Sequence, residues 1–308
     1  MSKVLYGSLF LLGGLLAGCQ PQQTVTAPSV PTRTVSHAMG TTEVPETPER
    51  VVVLDTAPLD SAIALGIQPV GTITYGTFPS YLPSQPEEIA IIGEGNQPNQ
   101  EAILQLEPDL ILGSKTGSSR QEYRQFSRIA PTVYTEGSGR AGDWQENFLL
   151  HAEALGQIEQ AEILLADYRA QIEKVQAQLD SPETLEISVI GTYSGKVGAY
   201  TTGSFSGSVR IVKGLARTAE QVLPRRYASE ISAEALDDLD GDYIFLIYSP
   251  DFSGSLQKAD FAADPVWSRL EAVQQDRLCE VSGAVWAAGR SLLAAQQILQ
   301  DIEACLTK

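Results

Sequence analysis

Aromatic and cationic side chains recur in the segments that follow the apolar runs of this chain. Aromatic rings can bury the apolar surface of an organic molecule, and guanidinium or ammonium groups can bind negatively charged oxygens. Any one of these rings could instead serve ordinary packing, so the prediction depends on the set: Tyr75, Lys115, Tyr193, Lys196, Tyr200, Phe205, Tyr248, Trp286 and Arg290. Together they predict a binding site for a bulky organic ligand with residual negative charge.

The apolar runs alternate with helical patterns along the chain. Residues 50–54 and 243–248, for example, are apolar on both faces, which indicates parallel strands covered on both sides. Ligands of such sheets bind beyond the carboxyl ends of the strands, where the loops with these aromatic and cationic residues should lie.

Two segments of the chain, residues 98–113 and 231–246, are similar at a constant offset of 133 positions. Each segment has a polar residue suited to cap a short helix, then a Pro or Gly break, an Asp and an apolar run. The identical pairs are Glu101/Glu234, Ala102/Ala235, Leu106/Leu239, Asp109/Asp242 and Ile111/Ile244. The repeat predicts two equivalent lobes.

The most regular helical pattern lies between the two copies. Apolar residues recur at spacings of three and four from Ile158 to Leu179, a stretch that would span about 33 Å as a helix. A coiled coil is the alternative, but a stripe that faces the core is the commoner outcome.

The predicted fold class is therefore α/β: two doubly wound lobes with mostly parallel sheets, joined by a single long helix, with a ligand cleft between them. The expected boundaries are 35–155 for the first lobe, 156–181 for the linking helix and 182–308 for the second lobe.

The amino terminus predicts export. Lys3 precedes a mostly apolar run over residues 4–16, which is too short to cross a membrane and is typical of a signal peptide over residues 1–18. The sequence from Leu16 to Cys19 resembles the lipobox of bacterial lipoproteins, and this implies a lipid on Cys19 that anchors the chain at the outer face of the cytoplasmic membrane. Cleavage of an ordinary signal with an incidental Cys is the alternative. Residues 19–34 are polar and predict a flexible tether.

Charge and cysteines narrow the function further. Without the signal, 20 Lys and Arg stand against 38 Asp and Glu, a net charge of about −18 that argues against nucleic acid or an anionic membrane surface as a partner. Cys279 and Cys305 could form a disulfide or remain two buried thiols. His37 lies near the tether and His151 in a helical stretch, so we assign both to surface or packing roles.

Several segments, in this order and spacing, resemble the substrate-binding proteins of ABC transporters that import siderophores, vitamin B12 or haem. They are Pro48-Glu-Arg-Val-Val-Val-Leu-Asp55, the stretch from Asn99 to Asp109, Ile190-Gly-Thr-Tyr-Ser-Gly195, Ile231-Ser-Ala-Glu-Ala-Leu236 and Asp264-Pro-Val-Trp-Ser-Arg-Leu270. The resemblance covers about residues 44–302. It implies capture of a ferric siderophore between two lobes that a rigid helix joins, and delivery to a membrane permease. Cobalamin or haem as the ligand, or a sensing lipoprotein without transport, are the alternatives.

The resemblance also implies roles for individual residues. Glu101 and Glu234 would each bind arginines of the permease, although an acid in the first turn of a helix is also stabilised by the helix dipole alone. A siderophore supplies the oxygen ligands of iron itself, so we expect neither a cofactor nor a metal site in the protein. The small number of cations favours a chelate of low charge, such as a hydroxamate or a mixed citrate-hydroxamate. We also expect the protein to be a monomer.

Two short motifs test the alternative that the chain is an enzyme. The segment from Gly191 to Lys196 lacks the spacing of a phosphate-binding loop, and Phe205 occupies the place of the serine in Gly203-Ser-Phe-Ser-Gly207. We therefore predict no catalytic residues; a hydrolase is the weaker hypothesis.

Overall fold

The computed structural model describes residues 31–76, 78–83, 88–95, 97–115, 119–194, 196–209, 216–217, 239–251 and 253–307, and the following description is of these residues. Residues 31–308 form one compact unit. It contains two mostly parallel β-sheets with helices packed against them, so the predicted α/β class with two lobes is confirmed.

The sheet of the N-terminal lobe has six strands in the order β6-β5-β4-β3-β7-β8, and only the β5–β6 pair is antiparallel. The strands are β3 Val51–Val53, β4 Gly71–Thr74, β5 Ala90–Glu94, β6 Gln97–Pro98, β7 Leu110–Ser114 and β8 Thr132–Thr135. Its helices are α1 Thr56–Ala64, α2 Gln100–Gln105, α3 Ser119–Phe126 and α4 Trp144–Leu155. Val51 and Val53 pack into one core and Val52 into another, because successive residues of a strand point to opposite faces.

An antiparallel hairpin, β1 Thr32–His37 and β2 Gly40–Pro45, precedes this sheet. Strand β1 begins inside the predicted tether, so residues 32–34 belong to the folded body and the boundary at 34 was wrong. The cause is a tertiary contact: the Arg33 guanidinium donates to the carbonyl oxygens of Glu153 and Ala154, at 2.7 and 2.8 Å, and so binds the hairpin to the end of α4.

The sheet of the C-terminal lobe has the strand order β10-β9-β12-β13, with β11 paired to β9. The strands are β9 Glu186–Tyr193, β10 Lys196–Ala199, β11 Ala216–Arg217, β12 Tyr243–Tyr248 and β13 Leu278–Ser282. Its helices are α6 Phe205–Ser208, α7 Lys258–Ala263, α8 Glu271–Gln274, α9 Gly283–Trp286 and α10 Leu292–Leu306, with a 3-10 turn at Trp267–Arg269. The helix that the sequence predicts at the start of the second repeat copy lies outside the described residues.

Helix α5, Ile158–Ala177, lies in the predicted linking segment. Its buried residues, Ala161, Leu165, Tyr168, Ile172 and Val175, form one stripe that packs inside the chain. They belong to a single hydrophobic cluster that includes strand residues of both sheets, together with α1, α4 and α10. The lobes therefore share a continuous core, which favours small relative motions of the lobes over wide hinge closure.

Cys279 and Cys305 form a disulfide, with their Cα atoms 6.2 Å apart. It joins strand β13 to helix α10, and it favours the disulfide over the alternative of two buried thiols. Among the described helices, none combines the length and the apolar character that a membrane span needs.

Candidate functional site

The carboxyl ends of several strands meet in a cleft between the lobes. A cavity of about 240 Å³ lies there, beyond β4, β12 and β13 and beside the first turn of α1. Thr56, Leu59 and Tyr75 line it from the N-terminal lobe, and Tyr248, Asp251 and Gly283 from the C-terminal lobe. This is the edge at which doubly wound sheets bind ligands.

A second cavity, of about 210 Å³, adjoins the first, because consecutive residues, Ala287 and Ala288, line one cavity each. Its lining consists of Arg140 from the N-terminal lobe and Tyr200, Ser204, Phe205, Trp286, Ala287 and Arg290 from the C-terminal lobe. The two cavities together offer apolar and phenolic walls beside two guanidinium groups.

Arg290 is held rigidly at this site. Its side chain is only 6% exposed, and Nη1 donates to the carbonyl oxygens of Ala287 and Gly289 at 2.8 and 2.6 Å. Burial lowers the pKa of Arg290 to about 10, and the positive charge of Arg140 acts in the same direction. The group is still protonated at neutral pH, so a charge stands in a poorly solvated position where an anion would be bound strongly.

Arg140 reaches the same cavity from the opposite lobe. It lies in the glycine-rich loop Glu136-Gly-Ser-Gly-Arg-Ala-Gly142, which follows β8. Gly139 has a φ of +81°, and a Cβ there would lie 2.4 Å from the carbonyl oxygen of Arg290. Glycine is therefore needed for the close approach that brings the loop to Arg290.

Asp55 is an acid on which the charges of both arginines act. It is the N-cap of α1, and its carboxylate accepts a hydrogen bond from the Thr56 amide at 2.7 Å. Burial raises the pKa of Asp55, while its hydrogen bonds and the charges of Arg290 and Arg140 lower it. Two guanidinium groups and no carboxylate stand among the described residues that line the second cavity, which is therefore locally positive in a chain of net charge −17, while Asp251 places a carboxylate in the first cavity.

Two tyrosines supply neutral hydroxyl groups beside the arginines. Burial raises the pKa of Tyr75 to about 12, and it also raises the pKa of Tyr200. Both phenols therefore stay protonated at neutral pH and can donate hydrogen bonds to an oxygen-rich ligand. Tyr75 is 46% exposed, so its ring is accessible at the mouth of the cleft.

The structure brings six of the nine predicted ligand-binding residues to the cavity walls. Tyr75 and Tyr248 line the first cavity, and Tyr200, Phe205, Trp286 and Arg290 line the second. The polar edge of Trp286 is already engaged: its Nε1 donates to Asp301 at 2.8 Å, and its ring stacks on Phe245. Trp286 therefore belongs largely to the core and can offer a ligand only part of its ring.

The other three predicted ligand residues line neither cavity. Lys115 Nζ forms an exposed ion pair with Glu136 at 2.8 Å, which satisfies its charge locally. Tyr193 and Lys196 are partners in the β9–β10 hairpin, across its turn. Contact of Tyr193 and Lys196 with a ligand stays a prediction, whereas the ion pair of Lys115 argues against such a contact.

Glu101 is exposed in the first turn of α2, where Asn99 caps the helix by accepting from the Glu101 and Ala102 amides at 3.0 and 3.1 Å. The carboxylate can therefore reach a partner protein. Glu234 and Cys19 lie outside the described residues.

Sequence reasoning missed Arg140 and the role of Asp55. A signal for Arg140 is present: a cation inside a glycine-rich loop that directly follows a strand. Asp55 is signalled by its place between β3 and the first turn of α1, where a carboxylate caps the helix and reaches the cleft.

The histidines lie away from the cavities. His151 is fully buried, its Nδ1 is 2.9 Å from the Ser61 hydroxyl, and burial lowers its pKa to about 3. His37 is half-buried in β1, with its Nε2 2.9 Å from the Thr42 hydroxyl. In the part of the chain that the structure describes, no group of three or more His, Cys, Asp or Glu side chains could hold a metal ion.

Comparisons with known proteins agree with this geometry. Residues 51–283 match the family model described as "Periplasmic binding protein". The "Probable siderophore-binding lipoprotein YfiY" of Bacillus subtilis is 33% identical over 292 residues, which cover 90% of this chain and 88% of the relative. The "Fe(3+)-citrate-binding protein YfmC" of the same organism is 26% identical over 305 residues, 96% of this chain and 94% of that protein. Staphylococcus aureus SirA in complex with staphyloferrin B is 26% identical, with a TM-score of 0.75, and the match covers 89% of this chain and 98% of SirA.

Proposed function

This chain belongs to the periplasmic binding protein family, and we propose that it captures a ferric siderophore between its lobes and delivers it to the permease of an ABC importer. The observation that carries the proposal is the pair of guanidinium groups, Arg140 and Arg290, contributed by opposite lobes to one cavity. A ligand with anionic oxygens on two sides can bind both, and it then bridges the lobes.

The cleft narrows the class of siderophore. The small number of cations in the whole chain favoured a chelate of low charge, but the described lining of the second cavity holds two guanidinium groups, and the carboxylate of Asp251 lies in the first cavity. We therefore propose a chelate that retains negative charge, of the citrate or other carboxylate type. The name of the relative YfmC, a ferric-citrate-binding protein, supports this choice.

Iron would be held by the chelator and not by the protein. The site offers two guanidinium groups, which carry no lone pair for a metal ion but bind the anionic oxygens of a chelate. This donor set supports capture of a complete ferric chelate without a resident cofactor. The family consists of binding proteins, and we propose that no catalysis accompanies capture.

The remaining assignments are proposals of the same kind. Glu101 and Glu234 would bind the permease, and the exposure of Glu101 supports its part of this assignment. A lipid on Cys19 would hold a monomer at the outer face of the membrane. We also propose that the first lobe ends at residue 155, followed by a linking helix over 156–181 and a lobe over 182–308; the position of α5 supports this division, and β1 extends the first lobe back to Thr32.

Tryptophan fluorescence tests the function directly. Trp286 lines the second cavity and Trp144 packs on Phe205, which lines it too, so a bound ferric chelate should quench both rings. We expect saturable quenching by a ferric siderophore of the carboxylate type, and none by free Fe(III) at the same concentration. The Arg290→Gln variant is the control for site-specific binding. Quenching by cobalamin or haem alone would show that one of these two molecules is the ligand. The proposal would be refuted if no ferric siderophore gave saturable quenching.

A further inference from the structure

The start of helix α10 is held by the opposite lobe. The amides of Leu293 and Ala294 donate to the two carboxylate oxygens of Asp60 at 2.9 and 3.0 Å, and Asp60 lies on α1 of the N-terminal lobe. Ser291, the N-cap residue of α10, makes no capping hydrogen bond with its own side chain among the described residues. A residue of another helix thus satisfies the first amides of α10 in place of the usual local cap.

A second polar contact reinforces this cap. The hydroxyl oxygens of Ser61 and Ser291 are 2.9 Å apart, and Ser61 is the neighbour of Asp60 on α1. All three side chains are shielded from solvent, with exposures of 0%, 0% and 1% for Asp60, Ser61 and Ser291. Buried hydrogen bonds to a carboxylate are stronger and more directional than exposed ones, so this contact fixes the position of α10 relative to α1.

Arg290 directly precedes the helix that is fixed in this way. One peptide bond joins it to Ser291, so the first turn of α10 determines where the backbone of Arg290 lies. From the other side, the Gly139 loop of the N-terminal lobe packs against the carbonyl oxygen of Arg290. The backbone of Arg290 is therefore placed by contacts with the N-terminal lobe, although Arg290 belongs to the C-terminal lobe.

We propose that Asp60 is a positioning residue for ligand binding: it holds α10 against α1 and so sets the Arg290 guanidinium in the cavity that Arg140 also lines. The proposal rests on the function proposed above. Asp60 itself is fully buried and would touch no ligand, so its effect passes through the backbone from Leu293 to Arg290.

The charged groups around Asp60 determine how the contact depends on pH. The Tyr81 phenol and the α10 amides face it, the charge of Arg290 acts on Tyr81, and His151 of α4 reaches the same network through Ser61. Burial raises the pKa of Asp60 to about 7, while burial lowers the pKa of His151 to about 3. Near neutral pH it is therefore Asp60 that changes charge, and its protonated form accepts hydrogen bonds more weakly than the carboxylate.

The test compares two isosteric variants. Asp60→Asn removes the charge and one acceptor oxygen. Asp109→Asn is the matched control, because Asp109 also accepts two backbone amides, those of Glu49 and Arg50 at 2.7 and 3.0 Å, but at the edge of the sheet opposite the cleft. With ferric citrate as the probe, we expect Asp60→Asn to weaken binding about tenfold, since mutations on a coupling path act on this scale. Asp109→Asn should leave the affinity within about twofold.

The pH profile separates positioning from a general loss of packing. The affinity ratio of wild type to Asp60→Asn should shrink toward one as the pH falls from about 8.5 to 5.5, because wild-type Asp60 then becomes protonated. A ratio that stays constant over this range would contradict the proposal. Protonation of citrate changes both affinities equally and cancels in the ratio.

A measurement without ligand keeps this proposal distinct from the proposed function. The Nε–H NMR signal of Arg290, assigned with Arg290→Lys, should shift in Asp60→Asn and stay in place in Asp109→Asn. If wild-type protein bound no ferric citrate, the proposed chelate class would fail, and the Arg290 signal would still show whether Asp60 positions Arg290.

If Asp60→Asn does not fold, Ser61→Ala is the substitute variant, because it removes the second contact between α1 and α10. It should shift the Arg290 signal and weaken binding, both by less than the values expected for Asp60→Asn. An unmoved signal and unchanged affinity in the folded variant would overturn the proposal.

Discussion

Asp109 and Asp242 perform the same structural task in the two lobes. Asp109 accepts hydrogen bonds from the Glu49 and Arg50 amides, which lead into β3, and Asp242 accepts one from the Glu186 amide at 2.8 Å, at the start of β9. Each aspartate directly precedes the strand that pairs in parallel with the strand it binds: β7 pairs with β3, and β12 pairs with β9. Among the described residues, the Asp and the apolar run of the repeat thus recur in the structure.

The aspartate that the two copies of the repeat share therefore lies at the amino end of a strand in each lobe. The two aspartates join adjacent strands at one edge of each sheet, while the cavities lie at the other edge. The positioning of the strands and the binding of a ligand are therefore separated in each lobe, and substitutions at the two edges should affect different properties.

The two arginines should contribute to binding in different ways. Arg290 is buried and hydrogen-bonded, so Arg290→Gln should raise the dissociation rate and cost about 3 kcal/mol of affinity for a ferric carboxylate siderophore. Arg140 is exposed, so Arg140→Gln should chiefly lower the association rate and weaken its dependence on salt. Stopped-flow quenching at several salt concentrations measures both rates.

Lys115→Gln is the control for these variants, because Lys115 is already paired with Glu136 at the surface. It should leave both rates nearly unchanged. If Lys115→Gln had an effect as large as that of Arg290→Gln, the anion would bind outside the cavity that Arg140 and Arg290 line.

The sequence was sufficient to predict most of the central strands. Residues 243–248 were predicted as a strand and form β12, because an apolar run of β-branched and aromatic residues is stable only when both faces are buried. The hairpin β1–β2 could not be predicted in this way, because its residues are largely polar and its position depends on contacts of Arg33 with α4.

The site was harder to predict than the sheets. Arg290 lies in a loop at the expected edge and was found, whereas Arg140 depends on how closely the Gly139 loop can approach another lobe. Trp286 shows the opposite difficulty: its indole is turned toward Asp301, a partner on a helix that only the fold brings near. Spacing in the sequence does not encode such contacts.

Reversal of the charge at Glu101 should separate binding from transport. We expect Glu101→Lys together with Glu234→Lys to abolish siderophore uptake by cells while the purified protein keeps its affinity for ligand, because Glu101 is exposed on α2 and lines neither cavity.

The matched control is Glu159→Lys. Glu159 is also an exposed acid in the first turn of a helix, α5, and loses the same favourable interaction with the helix dipole, about 0.3 to 1 kcal/mol. It should keep normal uptake. Normal uptake by the double variant, or equal loss in the control, would show that the permease assignment is wrong.

The disulfide should stabilise the C-terminal lobe. Cys279 and Cys305 are 26 residues apart, and closing a loop of that length in the unfolded chain stabilises a fold by about 3 kcal/mol. The double variant Cys279→Ala and Cys305→Ala should therefore unfold at a lower urea concentration than wild type. Addition of a reductant should lower the wild-type midpoint and leave the variant unchanged. Two titratable thiols in the unreduced wild-type protein would refute the pairing.

Asp60 and His151 should give the stability of the protein two opposing dependences on pH. Burial lowers the pKa of His151 from 6.5 to about 3, so between these values the unfolded chain binds the extra proton and acidification destabilises the fold. Burial raises the pKa of Asp60 from 3.8 to about 7, so in that window the folded chain binds the extra proton and acidification stabilises the fold. Between about pH 4 and 6.5 the two contributions oppose each other.

Single variants should expose each contribution separately. Asp60→Asn should lose stability relative to wild type as the pH falls from about 6.5 to 4.5, and His151→Gln should gain stability relative to wild type over the same range, each by at most about 1.4 kcal/mol per pH unit. Urea unfolding at three pH values measures these differences, and subtracting the wild-type curve removes the contribution of the other carboxyl groups. Because the two residues are linked through Ser61, the double variant should depart from additivity, whereas difference curves of the same sign would contradict the assignment of the two buried groups.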